Sequence, residues 1–171
     1  TQKYIPYKEL FPDATENTNL SDEINEVFSL FFQKFDYEIL DVSVDAANNS
    51  ATTSVKLTTI DAQALAKDFA AELLRTRITE AAQAQTGSIK DSSKSLEAHY
   101  LILNQLLKNK EYDSAETNCS IPLVNTGSDK KEKWEIQCTN SLENELVGGL
   151  IADLADPDIL SPEDTLTVYL D

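Results

Sequence analysis

Both cysteines of the 171-residue chain lie at the ends of one stretch, CSIPLVNTGSDKKEKWEIQC, from Cys119 to Cys138. The stretch is typical of a β-hairpin with its turn at residues 127–129, and the alternation of apolar and polar residues sets the register. Opposed residues of an antiparallel pair have Cα atoms about 4.5–5.5 Å apart, which suits a disulfide. The predicted cross-strand pairs are Cys119–Cys138, Ile121–Ile136 and Leu123–Trp134.

A disulfide between Cys119 and Cys138 would favour an oxidising compartment and a secreted protein. The alternatives are two reduced thiols in neighbouring strands of a cytosolic protein, or two cysteines that make no contact.

His99 is the only histidine, so a catalytic triad or a histidine-rich metal site would have to use it. It lies on the apolar stripe of a predicted helix, beside Tyr100. A buried histidine with one hydrogen-bonded ring nitrogen is the commoner arrangement at such a position. The chain contains no G-x-S-x-G, H-E-x-x-H, C-x-x-C or phosphate-loop motif. We therefore expect no cofactor, and the enzyme classes that carry such motifs lose support.

Asp153, Asp156 and Asp158 form a D-x-x-D-x-D run whose carboxylates could bind calcium. The run lacks the alternation and the closing glutamate of a well-formed calcium loop. A solvated turn before Pro157 is the favoured interpretation, and we expect no metal.

Thirty acidic residues against fourteen basic ones give a net charge of −16, which repels nucleic acids and anionic membranes. After Lys133 the chain has nine acidic residues and no basic one. This acidic end indicates either a site for a cation or basic partner, or a solvated surface that keeps the protein soluble; we favour the second. The length and a hydrophobic content of 41% suit one domain with its own core.

Hydrophobic periodicity predicts four helices and two hairpins in the order α-β-β-α-α-β-β-α, an α+β domain with an antiparallel sheet. Helices are expected to begin at Ser21, Asp61 and Ser141, with a third helix carrying His99 between the last two. Gly87 is expected to end the alanine-rich helix that follows Asp61. The predicted apolar stripes contain Ile24, Val27, Phe28, Phe31 and Phe35; Leu65, Phe69, Leu73 and Ile78; Leu96, His99, Tyr100, Leu103, Leu106 and Leu107; and Leu142, Leu146, Val147, Leu150 and Ile151.

Three regions follow from this pattern. Residues 1–19 are interpreted as an N-terminal arm or linker, residues 20–155 as one α+β domain, and residues 156–171 as an acidic, turn-rich tail that ends in a short alternating run.

The run FFQKFDYEILDVSVDAANNSATTSVKLTTIDAQALAKDF, with the later KWEI and ELVGGL, resembles the extracytoplasmic domains of small lipoproteins from Gram-positive bacteria. Those domains have a cystatin-like fold, also described as like nuclear transport factor two. The resemblance implies a curved antiparallel sheet that wraps a long helix, and a mature protein held at the cell surface by an N-terminal lipid. Some proteins of that fold perform acid–base chemistry in a pocket between sheet and helix, and the local candidates are His99, Tyr100, Asp68 and Tyr37.

The function expected from the sequence is a secreted or membrane-anchored, non-enzymatic binding or structural module with a protein or small-molecule ligand. The alternative is a small pocket enzyme, an isomerase, dehydratase or hydrolase, that uses His99 or a buried carboxylate. A homodimer formed through an exposed sheet face is a third interpretation.

Overall fold

A four-stranded antiparallel sheet and a layer of helices make up the protein, which confirms the α+β class. The computed structural model describes residues 9–14, 21–85, 94–128 and 131–171. A 3₁₀ turn, Phe32–Lys34, follows the first helix. The elements in chain order are α1 (Ser21–Phe31), β1 (Asp36–Asp45), β2 (Ser50–Ile60), α2 (Ala62–Ala84), α3 (Leu96–Asn109), β3 (Ser114–Asn125), β4 (Trp134–Ile136), α4 (Asn140–Leu146), α5 (Leu150–Ala155) and α6 (Pro162–Leu170).

The helix α1 begins at Ser21 and Asp61 caps α2, as predicted. The helix α4 begins at Asn140 with Thr139 as its cap, one residue before the predicted start at Ser141. Asp61 Oδ1 accepts a hydrogen bond from the Ala64 backbone N–H at 3.0 Å, and the Ser95 hydroxyl accepts one from the Ala98 N–H at 3.2 Å. Each bond satisfies a backbone donor that the first helical turn leaves unpaired. The helix α2 ends at Ala84, and Gly87 lies outside the described residues.

The main core lies between the helices α1, α2 and α3, with contributions from the end of β2 and from α5. The predicted stripe of α1 is confirmed, except that Phe35 follows the helix and is partly exposed. Leu10 and Phe11, from the segment interpreted as an arm, are also buried here. The Phe11 ring lies 5.1 Å from the Phe69 ring and 5.6 Å from the Tyr100 ring, centroid to centroid. The rest of that arm, residues 1–8 and 15–19, lies outside the described residues.

The strands follow one another across the sheet in the order β1-β2-β3-β4, so β2 and β3 are central. Val55 and Leu57 of β2 are buried on the inner face with Cys119 of β3, and Leu146 of α4 packs on them. This cluster is separate from the core that contains α2. The sheet therefore buries its inner face under α4, whereas the resemblance predicted a sheet wrapped around the long helix.

The second hairpin has a register that differs by two residues from the predicted one. Leu123 lies opposite Ile136, and Asn125 lies opposite Trp134. The predicted pairs Cys119–Cys138, Ile121–Ile136 and Leu123–Trp134 are therefore wrong.

The Asn125 side chain helps to set this register. Its Oδ1 accepts hydrogen bonds from the backbone N–H groups of Gly127 and Lys133, at 2.9 and 3.1 Å. Ser128 pairs with Lys131, which moves the centre of the hairpin past the predicted turn; residue 129 of that turn lies outside the described residues. When the centre of a hairpin moves by one residue along the chain, each residue of one strand pairs with a residue two positions further along the other strand.

The predicted disulfide is also wrong, because both cysteines are free thiols. Cys119 is buried opposite Val55, whereas Cys138 is exposed beyond the end of β4. With no strand pairing at Cys138, nothing brings the two sulfurs together. The argument for an oxidising compartment therefore loses its support from the cysteines.

The C-terminal region is helical where its alternating pattern indicated an extended run. Gly148 and Gly149 have φ angles of 65° and 90°, and this left-handed bend separates α4 from α5. Ser161 and Asp164 then form a capping box at the start of α6. Hydrogen bonds from Lys67 and Ser161 lower the pKa of Asp164 to about 2, and Val168 is buried as α6 packs against α2.

The replacement Leu65→Ala tests the helical core. Leu65 has no exposed surface on α2, so we expect the free energy of unfolding to fall by about 2–5 kcal/mol in urea denaturation. The matched control is Leu101→Ala on α3, where 54% of the residue is exposed and the expected change is below about 0.5 kcal/mol. Equal losses in both variants would contradict this assignment of the core.

The free cysteines are tested by mass spectrometry. We expect an unchanged intact mass on reduction under denaturing conditions, since a disulfide would add about two mass units. In native buffer, iodoacetamide should modify Cys138 first, because Cys119 is buried and burial raises its pKa, with a smaller contribution from the charge of Glu145. Modification of both thiols at the same rate would place Cys119 at the surface instead.

Candidate functional site

The acid–base candidates from the sequence lie in different settings. His99 and Tyr100 are buried in α3, and the His99 ring lies 4.7 Å from Phe11 and 5.5 Å from Phe69, centroid to centroid. Tyr37 is on β1 and 61% of it is exposed. His99 thus packs among aromatic rings of the core, a setting that suits a structural role.

Asp68 has a structural environment that the sequence did not reveal. Its Oδ2 accepts a hydrogen bond from the Tyr112 hydroxyl at 2.7 Å and an ion-paired hydrogen bond from Lys110. Burial, followed by the hydrogen bond and the negative charge of Asp68, raises the pKa of Tyr112. The Tyr112 hydroxyl and the Lys110 ammonium group both bind the same oxygen of Asp68. This cluster therefore ties the segment after α3 to α2.

A cleft of about 240 Å³ lies between α2, α5 and the segment that leads into α6. Most of its lining residues are apolar in type, and its charged residues are Arg77, Asp153 and Asp156. Burial raises the pKa of Asp153, with smaller contributions from the charges of Asp156 and Asp61. Pockets for drug-sized ligands usually measure roughly 300–1,000 Å³, so this cleft is small for a substrate. His99 is not among its lining residues.

Of the aspartates considered for calcium, Asp153 and Asp156 both line this cleft, whereas Asp158 is not among its lining residues. Asp153 belongs to α5, whereas Asp156 Oδ1 accepts a hydrogen bond from the Asp158 N–H at 2.9 Å in the following turn. In the part of the chain that the structure describes, no three His, Cys, Asp or Glu side chains group as metal ligands would.

The outer strand β1 carries the most exposed apolar surface of the sheet. All ten of its residues are exposed. Four of them, Tyr37, Ile39, Val42 and Val44, form what we call the apolar row, and between 54% and 61% of each is exposed.

The apolar row continues the inner face of the sheet. Tyr37 pairs with Leu57 and Ile39 pairs with Val55, and directly paired residues point to the same face. Leu57 and Val55 are only 2% and 3% exposed, because α4 covers the sheet there. The inner face thus extends past its helical cover by the width of one strand.

The other face of β1 is acidic. Asp36, Glu38, Asp41 and Asp45 form what we call the acidic row, and the strand contains no lysine or arginine. The Lys56 Nζ on β2 lies 2.9 Å from a Glu38 carboxylate oxygen, and this hydrogen bond, followed by the charges of Glu116 and Glu38, raises the pKa of Lys56. This one lysine is shared between two carboxylates, so the acidic row keeps a net negative charge.

The tight turn between β1 and β2 holds the edge strand in position. Asp45 accepts hydrogen bonds from the backbone N–H groups of Ala47 and Asn48 and from the Asn48 side chain. These bonds, chiefly that of the Asn48 amide, lower the pKa of Asp45. Asn49 completes the turn with a φ of 51°, a left-handed conformation that asparagine tolerates well.

The sequence pattern predicts a hairpin in this region but does not reveal that its first strand is exposed. A signal was present in DYEILDVSVD, where Ile39 and Leu40 interrupt the alternation of apolar and acidic residues. The structure has a β-bulge at this point, between Ile39 and Asp41. A bulge and several charges are features of edge strands, since both discourage uncontrolled pairing.

Comparisons of the chain with protein-family models, curated proteins and solved structures give no significant match. Among the described residues, no helix combines the length and the apolar character needed to cross a bilayer. The likeness to cell-surface lipoproteins therefore stays an expectation from the sequence.

The replacement Tyr112→Phe tests the bond to Asp68. Near pH 8 we expect a loss of about 1.5–3 kcal/mol in the free energy of unfolding, because a hydrogen bond to a charged carboxylate is removed. The pKa of Tyr112 in the folded protein is raised above its ordinary value of 10.0. The hydrogen bond therefore stabilises the protein fully below pH 10.0, and its contribution declines as the pH rises beyond 10.0.

The free energies of unfolding of the unmodified protein and of Tyr112→Phe, measured by urea denaturation, should therefore differ less near pH 11 than near pH 8. Tyr37→Phe is the matched control, since it removes an exposed hydroxyl and should change stability by less than about 0.5 kcal/mol. A difference that grows at alkaline pH would contradict the proposed environment of Tyr112.

Proposed function

We propose that the protein is a non-enzymatic binding module whose recognition surface is the edge strand β1. The observation that carries the proposal is the apolar row, which stays more than half exposed beside paired residues that are almost fully buried. Exposed apolar surface at the margin of a core is a common property of interaction sites. A polypeptide partner would cover this surface and complete the inner face of the sheet.

The edge position supports a strand-like mode of binding. In the described part of the chain, no strand pairs with the outer side of β1. An extended peptide can form main-chain hydrogen bonds with such an edge, while pockets for alternate side chains provide specificity. The ten residues of β1 offer a longer template than the three of β4 at the other edge.

The enzyme alternative has weaker support. The cleft that contains Asp153 is small, and the buried His99 packs among aromatic rings elsewhere. A general acid or base must lie within hydrogen-bonding reach of the reacting atom, and His99 is not among the residues that line this cleft. The binding proposal also does not depend on a cystatin-like family or on a cell-surface location.

Selection from a displayed library of random peptides tests the proposed surface. We expect enriched peptides to slow hydrogen–deuterium exchange in β1. They should also bind at least about tenfold more weakly to the variant Ile39→Thr/Val42→Thr, since lost apolar burial of roughly 1.4 kcal/mol corresponds to that factor. Threonine keeps the β-branched shape that strands favour, so the variant should fold normally.

The matched control is Leu166→Thr/Tyr169→Thr on α6, where 58% and 60% of the native residues are exposed. This variant should bind the selected peptides as the unmodified protein does. If selection enriches no peptide, or if the peptides protect α6 or the cleft instead of β1, the proposed surface is wrong.

A further inference from the structure

The charges on β1 restrict the chemistry of a partner. The acidic row places Asp36, Glu38, Asp41 and Asp45 along one side of a strand without basic residues. Lys56 neutralises part of this charge from β2, and Glu116 on β3 also lies 3.7 Å from it. Asp36 and Asp41 form no ion pair among the described residues, and both are exposed.

The two rows present two different surfaces to a neighbouring strand. Side chains of a strand alternate between the faces of a sheet, so an added strand would place one set beside the apolar row and the other beside the acidic row. Opposite charges in directly opposed pairs stabilise a sheet, whereas like charges destabilise it. The surface is therefore complementary to alternating apolar and basic residues.

We propose that the partner of β1 is an extended polypeptide segment with alternating apolar and basic side chains, which adds to the sheet as a fifth strand. This inference rests on the proposed function and specifies the class of its ligand. The apolar side chains of the segment cover Tyr37, Ile39, Val42 and Val44. Its lysine or arginine side chains pair with the acidic row, and the net charge of −16 accelerates their approach.

A second copy of this chain fits the same edge poorly. In the antiparallel register that matches the apolar rows, Tyr37 would lie opposite Val44, and Ile39 opposite Val42. The same register would set Asp36 opposite Asp45 at both ends of the pair. Like charges in these positions oppose dimerisation, so the acidic row discourages self-association and selects a basic partner.

The test uses fluorescently labelled synthetic peptides of roughly ten residues and the folded full chain. One peptide alternates valine with lysine. Its matched peptides replace lysine by glutamine or by glutamate, and a fourth has the valines and lysines in non-alternating order. We expect the alternating lysine peptide to bind at least about tenfold more tightly than each of the others, and to slow amide exchange in β1. Raising the salt concentration should weaken its binding.

Variants of the protein distinguish ion pairing at the acidic row from general attraction by the net negative charge. Asp36→Asn/Asp41→Asn should weaken binding of the lysine peptide about threefold or more while leaving the glutamine peptide unaffected. The control Asp158→Asn/Glu163→Gln removes the same number of charges from exposed positions in the C-terminal region, and should bind the lysine peptide nearly as the unmodified protein does.

Four results would overturn the inference. Equal binding of the lysine and glutamine peptides at β1 would remove the charge preference and leave the proposed binding surface intact. Equal binding of the non-alternating lysine peptide would indicate unspecific attraction. Dimerisation through β1 in sedimentation velocity would identify a second copy as the occupant. No binding of the lysine peptide at all would also reject it, and the library selection would then decide separately whether β1 is a binding surface.

Discussion

The passage of the chain from β2 into α2 joins the sheet to the helices, and the remaining architecture depends on it. Ile60, the last residue of β2, is buried in the helical core, and the next residue, Asp61, caps α2. The Asp61 backbone N–H also donates a hydrogen bond to the Asp113 carbonyl oxygen at 2.7 Å, which holds the start of β3 beside the end of β2. The strands β2 and β3 are central in the sheet, and β1 and β4 lie at its edges.

The exposed row on β1 follows from this central position of β2 and β3. The core buries Val55 and Leu57 under α4, and the helical cover does not extend as far as their partners Ile39 and Tyr37. An apolar edge of this length would ordinarily promote aggregation. The bulge near Leu40 and the carboxylates of the acidic row oppose it, because they disturb regular pairing and repel a second copy. The same carboxylates leave the edge open to a partner of opposite charge.

The second hairpin illustrates the limit of alternation as a guide to register. A shift of one residue would turn every side chain to the opposite face, and the pattern excludes that shift. A shift of two residues keeps Trp134 and Ile136 on the same face, so the pattern permits either pairing. Hydrogen bonds from Gly127 and Lys133 to the Asn125 side chain accompany the observed choice. The expected disulfide failed for this reason and because β4 ends at Ile136, so that Cys138 lies beyond the paired residues.

The sequence by itself determined the features that depend on neighbouring residues. Capping side chains such as Asp61, and apolar stripes such as that of α3, predict helices because their interactions lie within a turn or two of the chain. Only the tertiary structure decided that Leu10 and Phe11 are buried, that β1 is an edge strand and that the cysteines do not meet. Each of these depends on contacts between residues distant in sequence, and a local pattern that is compatible with several packings cannot choose among them.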